Sequence, residues 1–126
     1  MSTASNNDLI ASQVVIGVGA TASQTSPDLP NPYGRGVKVF VNTTAIGTGS
    51  ITVTIQGKDP ASGAYFTLLA SAAIVTNLLT VLSVYPGLPA TANVSANDVV
   101  PRTWRVSVVA NNANPATYTI GACVIV

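Results

Sequence analysis

Residues 51–69 read ITVTIQGKDPASGAYFTLL, two runs of alternating apolar and polar residues around the turn GKDPASG. A period of two puts Ile51, Val53 and Ile55 on one face of a strand and Thr52, Thr54 and Gln56 on the other. Asp59 offers a side-chain acceptor, Pro60 a fixed φ, and Gly63 a residue free to take φ > 0. The stretch is a β-hairpin, and it sets the class as all-β.

The same alternation recurs on both sides. GVKVFVN, residues 36–42, places Val37, Val39 and Val41 inward. WRVSVVA, residues 104–110, does so with Trp104, Val106 and Val108, and residues 117–126 with Tyr118, Ile120, Ala122 and Val124. Further strands are expected over 9–18 and 78–85. Residues 19–34, with Pro27, Pro30 and Pro32, are expected to lack regular structure in their second half. A second proline-bearing loop is expected over 86–101. Asn111 to Pro115 reads as a hairpin connection, and ASAAIV, residues 70–75, is compatible with a helical turn. About eight short strands predict an antiparallel two-sheet sandwich, jelly-roll-like, with an immunoglobulin-like arrangement as the alternative.

At 126 residues the chain has room for one domain. Residues 1–8 are expected to be a small polar arm suited to contacting a neighbouring subunit, and residues 9–126 a single sandwich domain. Hydrophobic residues make up 48% of the chain and charged residues 7%, against about 25% charged in an ordinary soluble domain. Mean hydropathy is +0.47. So few charges protect a free monomer poorly and point to a stable assembly. The net charge of +1 gives no electrostatic footprint for nucleic acid or an anionic membrane. The longest apolar region, residues 68–85, approaches the length of about 20 that a membrane span needs. Asn77 and several Ser and Thr interrupt it, so two strands are expected there instead. The N-terminus carries no basic residue and no apolar run, so a cytoplasmic origin is expected. Asn42 and Asn93 head glycosylation-type triplets that carry no meaning without secretion. The lone Cys123 has no intrachain partner and is expected to be a buried, inert thiol.

The chain contains no histidine, which removes the commonest general base and metal ligand. Its four carboxylates, Asp8, Asp28, Asp59 and Asp98, are scattered along the sequence. Asp59 sits where a turn wants Asp for its own hydrogen bond. Gly17-Val18-Gly19-Ala20-Thr21-Ala22 has the form G-x-G-x-x-A, but a loop follows where a dinucleotide site requires a helix. No enzyme activity, cofactor, metal or small-molecule substrate is therefore expected. Trp104 is expected in the core rather than on a sugar-binding platform, with Arg102 and Arg105 pairing with Asp98 or a neighbouring subunit. The candidate interface residues are Asp8 and Leu9 at the arm, Tyr33 and Arg35 at the end of the first proline-bearing loop, and Arg102 and Arg105.

VTIQGKDPASG (53–63) with YFTLLAS (65–71), VYPGL (84–88), PRTWRV (101–106) and TYTIGA (117–122) together resemble a widespread group of small proteins encoded in tailed-bacteriophage and prophage genomes. The resemblance covers residues 35–126. It implies a virion structural protein made in the host cytoplasm. The commonest role in that context is capsid decoration, in which a cement protein, often a homotrimer, binds the major capsid protein lattice. A tail or baseplate component, or a receptor- or carbohydrate-binding module on the virion surface, is the alternative.

Overall fold

The computed structural model describes residues 12–19 and 23–126, with side chains from residue 23 onward. The arm of residues 1–8, and with it Asp8 and Leu9, lies outside the described residues. Among the described residues ten strands form: β1 (Ser12–Gly19), β2 (Gln24–Thr25), β3 (Leu29–Pro30), β4 (Gly36–Ala45), β5 (Ile51–Lys58), β6 (Tyr65–Ala70), β7 (Leu79–Val84), β8 (Ser95–Ala96), β9 (Thr103–Ala110) and β10 (Thr117–Ile125). No helix occurs among the described residues. From Ser23 the chain runs straight into β2, so no helix follows the glycine motif among the described residues.

Alternation translates directly into burial. Ile51, Val53 and Ile55 of β5, Val37, Val39 and Val41 of β4, and Trp104 and Val106 of β9 are all fully buried. Tyr118 and Ile120 of β10 complete the layer between the sheets. The central hairpin forms as its turn chemistry dictates. Asp59 Oδ1 accepts the Ala61 N–H at 3.0 Å, Oδ2 accepts the Ser62 hydroxyl at 2.6 Å, and Gly63 takes φ 78°. Gly57 of β5 lies opposite Trp104, and a Cβ there would meet the Phe66 ring at 2.6 Å and Pro101 at 2.7 Å. Phe66 and Pro101 thus close that end of the core over a bare backbone.

Strand pairing is nested. β1 pairs with β10, β2 and β3 both pair with β9, β4 pairs with β7, and β5 pairs with β6. Rolling this nest brings β10 beside β4 and β9 beside β5. One sheet runs β1-β10-β4-β7-β8 and the facing one β2-β9-β5-β6. All pairs are antiparallel except β7 with β8. This is a jelly-roll sandwich. It is not the immunoglobulin-like arrangement, because β10 lies in the sheet of β4 and not beside β9.

Four expectations are corrected. Residues 111–115 are not a hairpin connection, since β9 and β10 belong to different sheets and the segment crosses between them. The proline-bearing stretch before residue 34 holds two short strands on β9. Pro30 is tolerated in β3 because an edge strand can spare one N–H. Residues 71–75 form no helical turn. Ser71 Oγ accepts the Val53 N–H at 3.0 Å, and Ile74 exchanges both backbone bonds with Ile51, which holds the segment extended. The loop over 86–101 contains β8, where Ser95 and Ala96 pair with Ser83 and Val84. No helix among the described residues is long and apolar enough to cross a membrane.

Candidate functional site

Nesting sorts the loops onto two ends of the sandwich. Residues 31–35, 59–64 and 85–102 lie at one end. Residues 46–50, 71–78 and 111–116 lie at the other. The two ends are chemically unlike.

At the first end the organising residue is Asn31, which is nearly fully buried. Its Nδ2 donates to Val100 O at 2.9 Å and Gly34 O at 3.0 Å, and its Oδ1 accepts the Gly34 N–H at 2.8 Å. Its backbone N–H donates to Arg102 O at 2.8 Å, and Arg35 exchanges with this region through Val100 N–H to Arg35 O at 2.9 Å. One side chain therefore brings the segments of Tyr33, Arg35 and Arg102 together, and all three residues are exposed, Tyr33 at 63%. Sequence reading named those three without their connector. The signal present was the Asn31-Pro32 pair, a turn initiator.

Arg105 does not join them. It lies half-buried on the outer face of the β9 sheet, where its guanidinium stacks 3.4 Å above the Tyr65 ring and its Nε donates to Gln56 Oε1 at 2.8 Å. Neither arginine pairs with Asp98, whose Oδ1 accepts the Val99 N–H. The ion pair among the described residues is Lys58 Nζ to Asp28 Oδ2 at 2.9 Å, with Tyr65 donating to Asp28 Oδ1 at 2.6 Å. This cluster straps the turn before β3 across β9, β5 and β6.

The Tyr65 hydroxyl, and next the Lys58 ammonium, hold the Asp28 carboxyl below its ordinary range. The bond to Asp28 in turn holds Lys58 above its own. A lowered carboxyl contributes stability above its unfolded value and loses it as pH falls through the folded one. A raised ammonium contributes below its unfolded value and loses it as pH rises through the folded one. The strap is thus fully present from about pH 4 to about pH 10. Asp28→Asn is expected to lower the melting temperature slightly at pH 7, because both partners are about a third exposed (32% and 36%). That gap should narrow as pH is lowered from about 4 toward about 2 and the wild-type carboxyl takes up its proton. Melting curves at the two pH values check this, and an unchanged gap in acid would contradict it.

Among the described residues, charge is confined to this half of the molecule. Asp28 precedes β3, Arg35 and Lys38 open β4, Lys58 and Asp59 close β5, and Asp98, Arg102 and Arg105 lead into β9. Asp8 is the one charged residue outside the described part. The far end has none. It carries Thr, Asn and small residues with exposed aliphatic side chains at Val75 (55%), Leu78 (45%) and Leu79 (58%). Residues 76–78 contribute to the lining of two depressions. One, of about 490 Å³, lies between residues 44–48 and Asn114-Pro115. The other, of about 350 Å³, lies between residues 72–76 and 92–94.

Trp104 is fully buried, as expected from its place on the core face of β9, and cannot serve as a stacking platform for a sugar. Cys123 departs from expectation in its burial alone. It lies on the outer face of β10, where it is only half-buried, with Lys38 beside it on β4. The described residues contain no cluster of three or more Cys, Asp or Glu side chains able to hold a metal ion.

Fold and surface together define a jelly-roll sandwich with its charges gathered at one end. No protein-family model matches the chain, and comparison with curated proteins finds no match.

Proposed function

We propose that this protein is a non-enzymatic structural component of a tailed-bacteriophage particle, a capsid decoration protein that binds and stabilises the major capsid protein lattice as a homo-oligomer, a trimer in the first instance. The observation that carries this reading is the way the few carboxylates are used. Asp28 is tied to Lys58 and Tyr65, Asp59 to its own turn, and Asp98 to the adjacent backbone. Each supports structure, while several aliphatic and aromatic side chains, with Arg35 and Arg102, are exposed and suited to contact. The resemblance of residues 35–126 to small phage-encoded proteins supplies the setting. The fold by itself does not, because jelly rolls serve many roles.

The mechanism is mass action. A protein that binds only the assembled shell favours that state by its binding free energy, about 2.7 kcal/mol per site when its free concentration is 100 times the dissociation constant. Repetition over a lattice multiplies the effect. A sugar-binding module is the weaker reading, since burial of Trp104 leaves no tryptophan for stacking. Counting this chain against the shell subunit in purified particles tests the proposal, because coating a lattice takes many copies and a tail component only a few.

A further inference from the structure

We infer that the charged end of the sandwich, at the cleft between Pro60 and Pro101, docks an acidic segment of a partner protein, with Arg102 as the main anchor and Arg35 in support. The inference rests on the proposed function for the partner's being a protein, and it adds the chemistry by which that partner is held.

The charges at this end are unequally employed. Every described carboxylate already has a task within the chain. Asp28 accepts from Lys58 and Tyr65, Asp59 from its own turn, and Asp98 from the Val99 N–H. Among the cations, Lys58 is held by Asp28, and Arg105 by Gln56 and the Tyr65 ring. Arg35 and Arg102 are exposed and make neither an ion pair nor a side-chain hydrogen bond among the described residues. Two guanidinium groups are thus left without a counter-charge, each with a fork of donors that matches a carboxylate.

The surroundings suit a protein segment. Arg102 lines, with Lys58 and Thr103, a cleft of about 310 Å³ walled by Pro60 and Pro101. Phe66 crowds against the Pro101 wall over Gly57, and Phe66, Val99 and Tyr33 are each about half exposed or more. Arginine and aromatic side chains beside apolar walls match the enriched composition of protein interfaces. The backbone carrying both arginines is also fixed before any partner arrives. Arg102 O accepts the Asn31 N–H at 2.8 Å, and Arg35 O accepts the Val100 N–H at 2.9 Å. Such bracing lowers the ordering cost of association.

Charge complementarity decides the occupant. An uncompensated guanidinium at the mouth of an apolar cleft favours a carboxylate-bearing surface and disfavours a basic one. A nucleic acid fits less well. Its affinity comes from neutralising many phosphates, and two free arginines in loops shared with Asp59 and Asp98 supply few such contacts.

The test uses the full chain with labelled poly-L-glutamate as the probe, read by fluorescence anisotropy at low ionic strength. Wild type is expected to bind the probe, and more weakly as salt is added. Arg102→Glu is expected to raise the Kd by about 10-fold or more, and Arg35→Glu combined with it to abolish binding. Arg102→Gln removes the charge without reversing it and should give a smaller loss in the same direction. Lys38→Glu makes the same change of net charge on the outer face of the β4 sheet and should bind nearly as wild type does. Melting curves identify any variant that fails to fold, in which case the milder Arg102→Gln carries the test. A wild type that does not bind the probe would overturn the inference. So would equal losses from Lys38→Glu and Arg102→Glu, because the attraction would then belong to net charge and not to the cleft. Oligothymidylate bound as tightly as poly-L-glutamate would also overturn it and assign the arginines to nucleic acid. Copy number in particles is measured independently of these titrations, so the inference can fail while the decoration reading stands.

Discussion

Asn31→Ala is expected to destabilise the domain by about 3 kcal/mol and to release the loop carrying Tyr33 and Arg35 from the segment carrying Arg102. The side chain reaches Val100 O and Gly34 O through Nδ2 and the Gly34 N–H through Oδ1, in a site nearly closed to solvent. Truncation leaves those groups without partners where water cannot fully replace them, and each such loss costs about 1–3 kcal/mol. Asn31→Asp is expected to be no milder. It keeps the shape but turns the donor edge into an acceptor facing two carbonyls. Denaturant titration of both variants checks the magnitude. A variant within about 0.5 kcal/mol of wild type, the range of ordinary surface substitutions, would show that the loops are held by other means.

Trp104→Ala is expected to cost about 3–5 kcal/mol, enough to consume much of a stability of about 5–15 kcal/mol. Trp104 is fully buried between Leu29 of β3 and Gly57 of β5, so its loss opens a cavity that neighbouring backbone cannot fill. Its Nε1–H has no hydrogen-bond partner among the described residues. Replacing it by phenylalanine removes an unsatisfied donor together with the lost ring, and those effects offset one another. Trp104→Phe is therefore expected to recover most of the stability that alanine loses. Urea midpoints compare the two, and equal losses would contradict the role given to the indole N–H.

Strand identity was legible because alternation states it residue by residue: Val37-Val39-Val41, Ile51-Val53-Ile55 and Tyr118-Ile120 each declare a buried face. Sheet membership was not. Asn111 to Pro115 has the composition of a tight hairpin, yet the chain crosses to the facing sheet, since β10 finds nine partners in β4 and β9 is already flanked by β5 and by β2 with β3. Pairing is a long-range choice that local composition does not encode. The surface followed the same division. Tyr33, Arg35 and Arg102 could be named singly, but their meeting depends on Asn31, whose reach to Val100 no spacing rule reveals. Gathering of the charges at one end likewise follows from nested pairing, because it places the start of β4, the end of β5 and the start of β9 side by side.

The central claim, that the protein works by stoichiometric binding to a repetitive shell, is tested most directly by its copy number in purified particles, measured against the major capsid protein on a quantitative gel. One copy per capsid subunit, or a simple fraction such as one trimer per local three-fold position, is the result expected. A count of only a few copies per particle would contradict it and place the protein in the tail or baseplate.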